Sequence, residues 1–73
     1  MKLTPVTSSN IKSVGHKNGV LYVEFKKGKT FSYEDVSETQ YNEFIKSDSV
    51  GSFFARNIRN NYKAVEVLHN EKS

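Results

Sequence analysis

Cysteine and tryptophan are missing from this 73-residue chain, proline and methionine occur once each, and glycine four times. Without cysteine there is no disulfide to staple the domain and no thiolate to hold a zinc ion or attack a substrate. No apolar run approaches the roughly 20 residues that cross a bilayer as a helix, and Met1 to Val6 lacks the apolar core of a secretion signal. The expectation is a cytoplasmic protein that makes no use of a membrane.

Groups that carry chemistry are also scarce. His16 and His69 are the two histidines, both read as solvent-exposed, and no His-Glu-x-x-His or related spacing gathers ligands around a metal. Serine is abundant but lacks a Gly-x-Ser-x-Gly elbow, and the isolated glycines build no phosphate-binding loop. Glu34, Asp35, Glu38, Glu43 and Asp48 read as a solvated acidic face, not as an acid/base pair in a cleft. The sequence thus implies no enzyme, no metal and no cofactor.

What remains must fold one small core. Five phenylalanines and four tyrosines supply much of the buried area in a chain whose length allows only about 60% of its unfolded surface to be buried. The domain organisation expected is a flexible lead-in over residues 1–7, a single domain over 8–68 and a flexible tail over 69–73.

A first strand begins near Ser9-Asn10-Ile11, where Val14 is out of phase with Ile11 and calls for a bulge or a place at the sheet edge. Asn18-Gly19 suits a tight hairpin turn. Val20 to Phe25 then alternates, with Leu21, Val23 and Phe25 on the core side. Lys26-Lys27-Gly28-Lys29 forms a second turn into Thr30 to Glu34, where Phe31 and Tyr33 share a face and Tyr22, Thr30 and Ser32 look outward.

Ser37 or Asp35 caps a helix over Glu38 to Lys46 that buries Tyr41, Phe44 and Ile45. A second helix runs from about Ser49 to Tyr62, capped by Ser49 or Ser52. It buries Val50, Phe54 and Ile58, and Gly51 permits a close backbone approach. Val65 and Val67 alternate with Ala64, Glu66 and Leu68, which fits either a short terminal strand or an unstructured tail. The fold class predicted is α+β, a three-stranded antiparallel meander with two C-terminal helices packed on one face (β-β-β-α-α), with the short terminal strand as an option.

Charge is distributed unevenly around a net of +3. Five carboxylates and one lysine occupy residues 34–48, whereas residues 49–63 hold Arg56, Arg59 and Lys63 and no acid. Lys26, Lys27 and Lys29 form another basic cluster. Arg56, Arg59, Asn60 and Lys63 fall along one side of the second helix, a spacing suited to phosphate contacts. Two arginines a turn apart point more strongly to phosphate than lysines would, because each binds it with two parallel hydrogen bonds. The competing reading is that these arginines pair with the acidic first helix.

Several of these landmarks occur together in one family. Ser8-Ser9-Asn10-Ile11, Gly19-x-Leu21-x-Val23-x-Phe25, Gly28, Phe31-Ser32-Tyr33, Tyr41-x-x-Phe44, Ser49-x-Gly51-x-Phe53 and Asn57-Ile58-Arg59-x-x-Tyr62 resemble the KTSC domain. That domain ends some lysyl-tRNA synthetases and also occurs alone as short bacterial and phage proteins. The family's central Tyr-x-Tyr departs here to Phe31-Ser32-Tyr33, so the first hydroxyl is missing. The resemblance implies RNA binding, by association with the synthetase, and points to Tyr33, Asn57 and Arg59.

Together these readings predict a small non-enzymatic module that binds RNA or another polyanion through Arg56, Arg59 and Lys63, assisted by Lys26, Lys27 and Lys29, with Tyr33 and Asn57 contributing. The alternative is a protein-interaction module that uses a sheet edge or an aromatic rim, including, for a phage-encoded copy, a binder of a host factor.

Overall fold

Two residues with positive φ organise the sheet. Asn18 (φ 54°) and Gly19 (φ 79°) form the two-residue turn between strands β2 (Ile11–Lys17) and β3 (Val20–Phe25), with Lys17 facing Val20. A turn with both central residues left-handed matches the natural twist of antiparallel strands, which is why Asn-Gly carries the signal. The structure, a computed structural model, describes residues 3–67. The leading Met1-Lys2 and the tail from Leu68, including His69, lie outside the described residues.

The sheet has five antiparallel strands in chain order: β1 (Thr4–Pro5), β2, β3, β4 (Thr30–Tyr33) and β5 (Ala64–Val67). The three-stranded meander expected from the sequence is therefore corrected by a strand at each edge. Thr4 and Pro5 pair with Val14 and Ser13. Two polar-context residues, one of them proline, carry no alternation to read, yet proline is tolerated on an edge because it need not donate to the ladder. At the other edge β5 aligns Ala64 with Tyr33 and Val67 with Thr30, so the short-strand option for this segment is the one realised.

The irregularity of β2 is a bulge. Its register shifts between Ile11 and Ser13, and this brings both Ile11 and Val14 into the core despite their odd spacing. Val14 then faces Val23, and Leu21 faces both His16 and Tyr33. These residues, with Phe25 and Phe31, form the sheet face that the helices cover. On the opposite face Ser13 Oγ donates to Glu24 Oε1 at 2.8 Å.

Helix α1 (Glu38–Lys46) follows its local signals closely. Ser37 Oγ accepts from the Gln40 amide, Glu38 sits near the positive N-terminus and Lys46 in the last turn. Phe44 is fully buried, while Tyr41 and Ile45 are half-buried. His16 is not free in solvent: its Nε2 donates to the Val36 carbonyl at 2.6 Å, and its ring stacks on Tyr41 at 5.1 Å. It thereby ties the sheet to the start of α1.

The second helix starts as α2 (Val50–Phe53) and continues as a π-helical segment over Phe54–Ile58. Its effect on the core is geometric. In an α-helix, residues four apart overshoot a full turn by about 40°, so two such steps would swing Ile58 about 80° away from Val50. The wider π turn winds less per residue and brings Ile58 more nearly into line with Val50 and Phe54, and all three are buried. Phe54 is the hub, meeting Phe25 and Tyr33 edge-on at 5.5 Å and Phe44 at 6.4 Å.

Candidate functional site

Helical geometry ends at Ile58, short of the expected Tyr62, and this changes the basic edge. Arg59 caps the π segment by donating its amide to the Phe54 carbonyl at 2.9 Å. Lys63 lies in the link to β5. Arg56, Arg59 and Lys63 are all exposed, but they do not form a single helical row. Asn57 is half-buried, and its carbonyl accepts from Asn61 Nδ2 at 2.9 Å, which finishes the widened turn.

Arg59 instead joins the turn between β3 and β4. In that turn the Gly28 amide donates to the Phe25 carbonyl at 2.9 Å, and the Lys26 amide donates across to the Asn10 carbonyl at 2.8 Å. Lys26, Lys27 and Arg59 line one cleft of about 400 Å³. Its apolar lining comes from Ile11, Phe25, Phe54 and Ala55, and its far wall from Ser9, Asn10 and Gly51. Lys29, Arg56, Asn57 and Lys63 are not among the lining residues.

Gly51 makes this wall. A Cβ there would stand 3.3 Å from Ser8 Oγ, a tight contact that this hydroxyl could relieve only by shifting a few tenths of an ångström. Ser8 Oγ meanwhile accepts from the amides of Asn10 and Ile11, which holds the loop in place at the cleft. Ser9, Asn10 and Phe25 were not picked out as site residues from the sequence. The signals were Phe25 next to Lys26-Lys27 and the close approach allowed by Gly51; what they lacked was the partner across the gap.

Electrostatics favour an anion here. Among the described residues no carboxylate lines the cleft and neither Arg56 nor Arg59 makes an ion pair, so the arginines do not clamp α1. Tyr33 lies beneath, only 3% exposed, and offers a ligand no stacking face. Burial pushes its hydroxyl above the ordinary value of 10.0, while the positive charge of Arg59 pulls the other way, which puts Arg59 within electrostatic reach of the phenol. Among the described residues no three of histidine, cysteine, aspartate or glutamate gather as a metal site would require, and no helix is long and apolar enough to cross a membrane.

The fold and its landmarks recur in known proteins. The chain is similar to the crystal structure of a KTSC domain protein from Yersinia pestis, with a TM-score of 0.84 and 30% identity over 90% of this chain and 96% of that one. Among the curated proteins none matches. The family model of the KTSC domain matches residues 7–62, a span that runs from the Ser8 loop through Arg59 and includes all the residues lining the cleft. By that match, and by the likeness over nearly its whole length, the chain belongs to the KTSC domain family.

Proposed function

We propose that this KTSC domain is a non-enzymatic binding module that takes a nucleic-acid polyanion, RNA foremost, in the cleft between the β3–β4 turn and the end of the π segment. The observation that carries the reading is convergence: Lys26 and Lys27 meet Arg59, more than thirty positions away in sequence, around one aromatic-floored recess that no acid lines. Arginine and lysine bind phosphate, and an apolar floor accepts the face of a base. Arg56, Lys29 and Lys63 extend the positive field around the recess without lining it, and so contribute to steering.

An NMR titration of the labelled domain with short single-stranded RNA, at low and at physiological salt, tests this. Shifts are expected at Lys26, Lys27, Arg59 and Phe25. With three cations each meeting a phosphate, log K falls against log salt with a slope of about −2, at about −0.7 per phosphate on a single strand. Arg59→Ala keeps the fold and flattens that slope by about 0.7. Unchanged binding by a folded Arg59→Ala variant would remove the cleft from consideration.

A protein-interaction module is the second reading, and one observation favours it. β5 is an edge strand, and its Val65 is the large hydrophobic side chain left exposed among the described residues. That reading predicts a partner whose binding changes little with salt and is lost in Val65→Lys.

A further inference from the structure

The cleft does not stop at its basic rim. A second hollow of about 380 Å³ shares Ser9, Asn10, Gly51 and Ala55 with it, so the two adjoin along the Ser8 loop and are read together as one groove. Its remaining lining is polar in a different way: Thr7, Ser8, Ser49, Ser52 and Asp48 in place of lysine and arginine. One end of the groove thus carries three cations, and the other carries hydroxyls and one carboxylate.

We infer that this groove holds an unpaired stretch of RNA, its phosphates against Lys26, Lys27 and Arg59 and a ribose hydroxyl against Asp48; the inference rests on the polyanion reading above. A carboxylate only accepts hydrogen bonds, so Asp48 repels phosphate and attracts a hydroxyl proton. Ser8 and Ser49 are already occupied, the first by two loop amides and the second by the Ser52 amide. Among the described residues the side chains of Thr7, Ser9, Asn10 and Asp48 make no hydrogen bond, so they are free to meet a sugar.

An RNA strand carries a 2′-hydroxyl beside each phosphate, so a strand with phosphates at the cationic end can offer a hydroxyl to Asp48 at the other, and the 2′-hydroxyl is what DNA lacks. Size selects against a duplex. A recess of about 400 Å³ is at the small end of ligand pockets. It fits an unstacked base over Phe25, whereas a double helix keeps its bases inside and is met across a broad, shallow groove.

The test compares three probes on the full chain at one salt concentration, by fluorescence anisotropy with NMR shifts to locate them: a short single-stranded RNA, the DNA of the same sequence, and the RNA annealed to its complement. Single-stranded RNA is expected to bind tighter than DNA by roughly 3- to 10-fold, the worth of one hydrogen bond, and tighter than the duplex. Asp48→Ala, in an exposed position, should bring the RNA-to-DNA ratio near one while the shifts at Arg59 persist.

Equal binding of RNA and DNA with shifts at Lys26, Lys27 and Arg59 would overturn this inference and leave the polyanion reading standing. A preference for the duplex, or an RNA preference that survives Asp48→Ala, would overturn it in the same way. Silence from all three probes would remove the polyanion reading and this inference together.

Discussion

The two helices are nearly matched in length yet built on different grounds. α1 has nine residues, a serine cap, an acidic start and a basic end, and among its residues only Phe44 is fully buried. The second has four α-helical and five π-helical residues, no charged residue in the first turn of α2, and three buried side chains. α1 forms because its own sequence asks for a helix. The second is shaped by what it must cover, and it gives up regular hydrogen bonding to keep Val50, Phe54 and Ile58 on one side. Arg59, the arginine of the proposed cleft, lies just past the end of that second helix.

If that contrast holds, the largest stability loss belongs to the second helix. Phe54→Ala removes the ring that joins Phe25, Tyr33 and Phe44, and is expected to cost about 3–5 kcal/mol in chemical denaturation. For a domain this small, much of the population would unfold. A loss below about 1 kcal/mol would mean that Phe54 is not the hub of the core.

Gly51→Val comes next. It drives a branched side chain into Ser8 Oγ, and a cost of about 1–3 kcal/mol is expected, together with reduced RNA binding as the Ser8 loop is displaced. Binding that persists while stability falls would detach the loop from the site.

The caps sharpen the comparison. Ser37→Ala is expected to cost about 1 kcal/mol, because α1 depends on its local signals. Ser49 Oγ accepts from the Ser52 amide at the longer distance of 3.3 Å and starts a helix held by its core contacts, so Ser49→Ala should cost less. The reverse order, read from urea midpoints of the two variants, would invert the argument.

The smallest effect is in the alkaline range. Tyr33 and Tyr41 both hold their protons above the ordinary 10.0, chiefly through burial. A raised folded value contributes stability that is complete below pH 10 and is lost as pH climbs through the folded values. Urea midpoints should therefore decline above pH 10, and less so in Tyr33→Phe. A curve of the same shape in that variant would assign the loss elsewhere.

The same contrast explains what could be read from the residues alone. The Asn18-Gly19 turn, the alternation of β3, and α1 with its Ser37 cap are written in neighbouring positions, and the structure has them where the sequence puts them. β1 was not legible, because two residues beside Val6 gain their pairing only from a strand already in place. The helical row Arg56, Arg59 and Lys63 failed because 3.6-residue spacing was extended through a segment that the core had widened. Composition marks Arg59 as a phosphate contact and Lys26 and Lys27 as assisting it, but that these two lysines and one arginine share a recess depends on the hairpin and the helix meeting in space.

Strand order has a mechanical meaning as well. With five strands stacked in chain order, the chain enters the sheet at one edge and leaves it at the other, about 19 Å away at some 4.8 Å per strand. A pull on the two ends acts across the strands, along the direction of their hydrogen bonds, and loads those bonds one after another. Two-residue β1 should peel first, followed by β5 with its single neighbour. Under tension this domain unzips from its borders inward, and the hairpin of β2 and β3 is the last to part.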